Sequence, residues 1–140
     1  NNGDNYYEIE NTNGIKLSRS DMSALAQAKA ANYCGQSIAI KRSGLGINEF
    51  KHLFLSGGFA NYINVDNAKK IGFLIDTPNA NVLKIGNSAL NGAIIYLVNI
   101  EERIKIESIV KSIKHVELET DENFFDHFVE GCQFKELKVM

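Results

Sequence analysis

The stretch His52-Leu53-Phe54-Leu55-Ser56-Gly57-Gly58-Phe59 decides the fold of this chain. Its three consecutive apolar residues predict a strand that is buried on both faces of a sheet. Two glycines follow at once, and a glycine pair lets the backbone turn sharply while leaving room for a ligand or another backbone. In open α/β sheets, ligands bind beyond the carboxyl ends of the strands. The pair is therefore either a tight turn without a ligand, which the motif alone favours, or part of a binding site.

A second strand followed by a glycine turn lies downstream. Val82 to Ile85 predicts another buried strand, and Gly86-Asn87-Ser88 follows it. A helix then begins, with these residues predicted to face inward: Ala89, Leu90, Ala93, Ile94, Leu97 and Val98. The order helix, strand, helix, strand, helix indicates parallel strands joined by right-handed crossovers. Two glycine turns at the same end of neighbouring strands would make a better ligand site than either turn alone.

A long helix is predicted ahead of the first of these strands. Ser18 or Ser20 can cap its start, where Asp21 suits the positive end of the helix dipole. Gly44 follows a basic last turn and can supply the left-handed residue that ends the helix. Lys29 falls on the apolar face with Met22, Leu25, Ala26, Tyr33 and Ile40. Either its stem packs while its amine reaches water, or the amine reaches an anionic ligand, and the sequence leaves both open.

The N-terminal segment predicts a β-hairpin. Tyr6–Ile9 and Ile15–Leu17 have strand composition, and Asn13-Gly14 between them is a strong turn signal. Residues 1–5 are expected to be a loose end. The chain lacks an initiator methionine, so we expect it to be part of a longer protein.

The C-terminal third predicts a helix, a strand and a last helix. Residues 101–113 have the pattern of an amphipathic helix, and residues 114–119 alternate polar and apolar as an edge strand does. Thr120 or Asp121 is predicted to cap the last helix. Together with the parallel strands, these elements predict an α/β fold in a single domain that spans residues 1–140.

Composition excludes several classes of function. The net charge of −2 does not favour binding to nucleic acid or to an anionic membrane. No apolar run is long enough to span a bilayer. Cys34 and Cys132 form no zinc spacing and are expected to be buried thiols in a reducing cytoplasm. No nucleophile–base pair and no G-x-x-x-x-G-K-[ST] phosphate loop occurs. The residues alone therefore predict a nucleotide site and no reaction.

Several segments together resemble the C-terminal part of the reductive activators of corrinoid proteins, which have the actin-like ATPase (ASKHA) fold. The segments occur in the family's order and spacing: Leu17-Ser18-Arg19-Ser20-Asp21, Gln27-Ala28-Lys29-Ala30-Ala31, Leu55-Ser56-Gly57-Gly58-Phe59-Ala60-Asn61-Tyr62, Ile71-Gly72, and Ile85-Gly86-Asn87-Ser88-Ala89-Leu90-Asn91-Gly92-Ala93. The resemblance implies a partial actin-like (ribonuclease H-like) lobe with parallel strands, flanking helices and an N-terminal β-hairpin. It covers nearly the whole chain, from about Ile15 to Phe134.

The resemblance also implies a set of ligand contacts. Gly57 and Gly58 would be the close-approach residues of an adenosine motif, with Phe59 beside them. Lys29 and Gln27 would supply polar contacts to the nucleoside. Gly86 and Asn87 resemble the segment that connects the two lobes and closes the cleft.

Full-length members of the family carry an N-terminal [2Fe–2S] domain and use ATP to drive reduction of Co(II) corrinoid to Co(I) on a partner methyltransferase protein. The motifs for Mg²⁺ and the β- and γ-phosphates, like the iron–sulfur cysteines, lie upstream in the family and are missing here. We therefore expect an ATP-binding portion that is not catalytic alone. The alternative is a scaffold lobe that docks the corrinoid protein or self-associates as a homodimer, with vestigial nucleotide binding.

Overall fold

The computed structural model describes residues 5–137. Within that range the chain folds into two compact units. The hairpin unit contains residues 5–44, 65–76 and 118–137, and the parallel-strand unit contains residues 45–64 and 77–117. The single domain over residues 1–140 stays a prediction. Of the expected loose end, residues 1–4 lie outside the described range.

The predicted N-terminal hairpin is confirmed. Strand β1 (Tyr6–Glu8) pairs antiparallel with β2 (Lys16–Ser18), and Tyr7 lies opposite Leu17. Asn13 and Gly14 both have positive φ angles, 51° and 83°, which these two residue types adopt more readily than others. The Asn-Gly signal therefore marks the loop of this hairpin correctly.

The long helix α1 (Arg19–Ser43) starts and ends where the sequence predicts. Ser18 and Asp21 form a capping box: the Asp21 N–H donates to Ser18 Oγ at 3.0 Å, and the Ser18 N–H donates to Asp21 Oδ2 at 2.8 Å. Gly44 ends the helix with φ +73°. Both signals depend on residues that are close together in sequence.

Helix α6 (Phe124–Gly131) packs against α1 to form the core of the hairpin unit. A Cβ atom added to Gly131 would lie 2.8 Å from Ala30 Cα, so this contact requires glycine. The short helix α3 (Val65–Lys70) belongs to the same unit. The buried apolar residues of the unit are Ala30, Tyr33, Cys34, Ile38, Ala68, Leu74, Ile75 and Leu137.

Two predictions for the C-terminal third are wrong. Residues 114–117 have no regular structure and Leu118–Thr120 forms a 3₁₀ turn, because an alternating pattern makes a strand only where a partner backbone is present. The residue that precedes α6 is Asn123, without a side-chain cap, and not Thr120 or Asp121. The Asp121 carboxylate instead binds Arg42, with 2.7 Å between Asp121 Oδ2 and Arg42 Nη2.

The parallel strands are confirmed in the second unit. Strand β3 (His52–Ser56) pairs parallel with β4 (Asn81–Gly86). Residues 59–64, predicted as a turn, instead include most of the short helix α2 (Gly58–Tyr62). Helices α4 (Ser88–Val98) and α5 (Ile100–Ser112) follow β4. In the described part of the chain, β1–β2 and β3–β4 form separate sheets.

Burial in the parallel-strand unit differs from the prediction. Phe54 is 57% exposed while Leu53 and Leu55 are half-buried, so β3 is covered mainly on one face and not on both. All six α4 residues predicted to face inward are exposed, and Leu97 and Val98 are 71% and 78% accessible. The helices form as predicted, but within the described residues their apolar faces lack the cover that the prediction assumed.

Candidate functional site

The two glycine turns meet at the carboxyl end of the parallel strands. The Gly57 N–H donates to the Gly86 carbonyl at 2.8 Å, which joins the turn after β3 to the turn after β4. The strand register shifts between Leu55 and Ser56, so that Ser56 lies opposite Gly86. Irregular pairing of this kind is over-represented next to binding sites. The structure therefore brings together the two turns that the sequence singled out.

The backbone at these turns needs glycine and leaves open space. Gly57 has φ +98° and Gly86 has φ +62°, which are positive values that residues with a side chain rarely adopt. Gly58 begins α2 without a positive φ. A Cβ atom added to any of the three would meet nothing within 4 Å. The turns thus have the room for close approach that a nucleoside requires.

Asn87 and Phe59 directly follow the glycines of the two turns. Asn87 caps α4, because its Oδ1 accepts the Leu90 N–H at 3.1 Å. Phe59 is 71% exposed, and Tyr62 on the same short helix is 91% exposed. The Asn87 side-chain oxygen is therefore already partnered, and the Phe59 ring is mostly exposed to solvent.

Three polar side chains at this end of the sheet were not predicted as site residues. Ser56 Oγ lies 2.5 Å from Ser88 Oγ and donates to the Gly86 carbonyl at 3.2 Å. The Lys84 ammonium donates to the Asn61 and Ile63 carbonyls, at 3.2 and 2.7 Å, and so holds the end of α2. The serines had a sequence signal, since each lies within two residues of a glycine turn. No sequence pattern around Lys84 indicates that its ammonium bonds the Asn61 and Ile63 carbonyls.

Lys29 and Gln27 lie on α1, in the hairpin unit. Lys29 has no accessible surface (0% exposed), and its ammonium donates to the Gly131 carbonyl and lies 5.6 Å from the Phe134 ring centroid. Burial lowers the pKa of the Lys29 amine, and nearby Cys132 partly opposes that shift. The amine does not reach water, so the first of its two predicted roles is wrong. The Gln27 side chain is exposed and donates to Ser23 Oγ at 3.2 Å.

Three further observations concern metal binding, membrane crossing and cavities. Among residues 5–137, no group of three or more His, Cys, Asp and Glu side chains could hold a metal ion, and no helix is long and apolar enough to cross a membrane. A cavity of about 590 Å³ is lined by residues 8–14 of the hairpin loop and includes none of the glycine-turn residues.

Comparison with known proteins identifies relatives over almost the whole chain. Residues 4–140 match the family described as the C-terminal domain of RACo, the ASKHA domain. The corrinoid activation enzyme RamQ of Eubacterium limosum is 33% identical over 139 residues, which cover 95% of this chain and 23% of that enzyme.

A solved structure has the same fold. It is described as a reductive activator for corrinoid, iron-sulfur protein, and it superposes with a TM-score of 0.76 at 25% sequence identity. The superposition covers 92% of this chain and 23% of that protein. The chain thus spans about a quarter of the length of both relatives.

Proposed function

The chain belongs to the family of the C-terminal domain of RACo, the ASKHA domain, and from this premise we propose that it forms the adenosine-binding part of an ATP-dependent activator. The activator would return inactive Co(II) corrinoid to Co(I) on a partner protein of a methyltransferase system. The relatives are named for corrinoid activation, which supports this reaction class. The binding site would comprise Gly57, Gly58, Phe59, Gly86 and Asn87.

One observation carries the assignment of the site. The two glycine turns are hydrogen-bonded to each other at the carboxyl end of a parallel strand pair, and open space lies over Gly57, Gly58 and Gly86. Ligands of open α/β sheets bind at this end of the strands. The positive φ angles of Gly57 and Gly86 already require glycine for the turns. Gly58 has no positive φ and only open space around an added Cβ, so glycine at position 58 favours a ligand over a plain turn.

The remaining chemistry would come from other parts of the parent protein. Reduction of Co(II) to Co(I) takes one electron, and a [2Fe–2S] cluster held by cysteines takes four thiolates. This chain has two cysteines, and Cys34 is buried. The cluster, together with the groups that hold Mg²⁺ and the β- and γ-phosphates, would therefore belong to other segments. The contribution of this chain is to bind and orient the nucleoside.

A substitution at Gly58 tests the site. Gly58→Val in the full-length protein is expected to lower ATP affinity at least about tenfold, because the branched side chain occupies the open space. The fold should be preserved, since Gly58 has neither a positive φ nor a neighbour within 4 Å of an added Cβ. Binding would be measured by titration calorimetry and folding by circular dichroism.

Gly92→Val is the matched control. Gly92 lies on α4 in the same unit, and an added Cβ there would also meet nothing within 4 Å. This variant should bind ATP like the wild type. If folded Gly58→Val also kept the wild-type affinity, the glycine turns would not be the nucleotide site.

A second function has support from the exposed surface of α4 and α5. Leu97, Val98 and Ile100 are exposed at the junction of the two helices, with Ile104 and Ile109 further along α5. Contiguous apolar surface often marks a protein interface. The chain would then be a lobe that docks the corrinoid protein. Val98→Asp should abolish capture of the purified corrinoid protein and leave ATP affinity intact, whereas unchanged capture would argue against this lobe as the docking surface.

A further inference from the structure

Ser56 and Ser88 join the two glycine turns through their side chains. Ser56 is the last residue of β3, and Ser88 is the first residue of α4. Their hydroxyl oxygens are 2.5 Å apart, and Ser56 Oγ is also 3.2 Å from the Gly86 carbonyl oxygen. Ser56 is exposed and Ser88 is half-buried, so the pair borders solvent at the end of the sheet.

The direction of these hydrogen bonds follows from the groups involved. A carbonyl oxygen can only accept, so the Ser56 hydroxyl donates its single proton to Gly86. The Ser56 oxygen must then accept the proton of Ser88. The bonds run from Ser88 through Ser56 to Gly86, and the Gly86 carbonyl also accepts the Gly57 N–H.

The direction of these bonds determines which ligand groups can hydrogen-bond to Ser56 and Ser88. Each hydroxyl has one proton and two lone pairs, and both protons are used within the chain of bonds. Ser88 keeps two lone pairs and Ser56 keeps one. The pair therefore presents acceptors and no free donor. A ligand N–H or O–H can bond the pair without disturbing this chain of bonds, whereas a phosphate oxygen, which only accepts, would have to take a proton from one of them.

We propose that Ser56 and Ser88 are positioning and specificity residues of the nucleotide site: they fix the separation of the two turns and select a nucleoside donor group. This inference rests on the proposed adenosine-binding function. Two parts of adenosine carry such a donor, the exocyclic amine of the base and the hydroxyls of the ribose. The shared chemistry is a neutral N–H or O–H next to the Gly57 and Gly86 turns.

Nucleotide analogues distinguish the two sources of the donor. Inosine triphosphate has an oxygen in place of the exocyclic amine, and 2′-deoxy-ATP and 3′-deoxy-ATP each lack one ribose hydroxyl. The wild-type full-length protein should bind ATP about tenfold more tightly than the analogue that lacks the recognised donor. Ser88→Ala should weaken ATP binding about tenfold more than it weakens binding of that analogue, so that the preference disappears.

Three further variants distinguish a loss of ligand selection from a general loss of structure at the two turns. Ser88→Thr keeps the hydroxyl and should restore the preference for ATP, and Ser56→Ala, which breaks the same chain of bonds, should reduce it. Ser112→Ala removes an exposed hydroxyl that bonds only the Ile109 carbonyl within the described contacts and should change nothing. Circular dichroism would confirm that each variant is folded.

Several outcomes would overturn the inference. An equal loss of affinity for ATP and all three analogues in Ser88→Ala would mean that the pair only stabilises the turns. An unchanged preference in Ser88→Ala, or no recovery in Ser88→Thr, would mean that the hydroxyl does not select the ligand. If the wild type bound no nucleotide, the proposed function would fail and this inference with it, whereas the first two outcomes leave the proposed function standing.

Discussion

Lys29 has a structural partner that explains its place on an apolar helix face. Its buried ammonium donates to the carbonyl of Gly131, the last residue of α6. A cation at the C-terminal end of a helix is favoured by the helix dipole, which offsets part of the cost of burying the charge. The residue therefore ties α1 to α6, and a contact of Lys29 or Gln27 with the nucleoside stays a prediction.

Lys29→Met should lower the free energy of unfolding by about 1–3 kcal/mol, because the buried Gly131 carbonyl loses its charged donor. Chemical denaturation would measure this loss, and ATP titration would measure affinity in the same variant. Lys41→Met, which removes an exposed lysine from the same helix, is the control. A tenfold loss of ATP affinity with unchanged stability would instead show that Lys29 contacts the nucleotide.

Asp121 makes the stability of the hairpin unit depend on pH. The Asn123 N–H and the Arg42 guanidinium donate to its carboxylate, and they lower the pKa of Asp121 to about 2 from its usual value of 3.8. Between these two values the unfolded chain binds more protons than the folded chain. The contribution of Asp121 to stability is therefore present above pH 3.8 and is lost as the pH falls toward about 2.

The pH dependence is measured by comparing the wild type with Asp121→Asn. The difference in their free energies of unfolding should be largest above pH 3.8 and should shrink as the pH falls toward about 2. Glu122→Gln changes an exposed neighbouring carboxylate and should not reproduce this trend. A difference that stays constant across the range would show that the carboxylate has no pH-dependent role.

At the scale of elements, the contact between α1 and α6 depends on the absence of a side chain at Gly131. Gly131→Ala places a Cβ atom 2.8 Å from Ala30 Cα and 3.1 Å from Tyr33 Cδ1, so the helices must move apart. The free energy of unfolding should fall by about 1–3 kcal/mol, as expected for overpacking. Thermal and chemical denaturation would both report the loss.

Gly35→Ala is the matched variant on the facing helix. Its added Cβ would lie 3.6 Å from Leu118 Cδ1, which is an ordinary contact, and Gly35 lies in the interior of α1. This change should raise the free energy of unfolding by up to about 1 kcal/mol, since alanine favours a helix more than glycine does. Destabilisation by Gly35→Ala equal to that by Gly131→Ala would mean that close packing at Gly131 is not the cause.

Features of the fold that depend on neighbouring residues could be predicted from the sequence, and features that depend on distant residues could not. The cap of α1, the left-handed Gly44 and the two strand–glycine turns all depend on residues that are close in sequence. Gly44 and the turns were predicted, and Ser18 was one of the two predicted caps. The bond from Lys29 to Gly131 joins residues 102 positions apart, and that from Arg42 to Asp121 joins residues 79 apart. No local pattern encodes such pairs. The false strand at 114–119 failed for the same reason, because its partner had to be supplied by distant residues.

At the scale of the whole molecule, exposed apolar strands predict self-association of the isolated chain. The β3–β4 sheet has two strands, so each has one edge without a strand partner among the described residues. Unpaired apolar edges are templates for pairing with a second copy. Light scattering over a range of concentrations should show a dimer at high micromolar concentration.

Charged variants test whether β3 is the surface that associates. Phe54→Lys places a charge on the exposed face of β3 and should shift the chain toward monomer. Tyr6→Lys makes a similar change at an exposed aromatic residue of β1 and should leave association unchanged. A wild-type chain that stays monomeric at high micromolar concentration would contradict the prediction.

The burial of Lys29 also has a chemical consequence. Amine-reactive reagents modify accessible, uncharged lysine amines, and Lys29 is the buried lysine among residues 5–137. Its acylation should therefore lag behind that of the other described lysines and proceed only when α1 and α6 part. The rate at which Lys29 is acylated, measured by mass spectrometry of pulse-labelled protein, would then report how fast this helix pair opens. No engineered probe is needed.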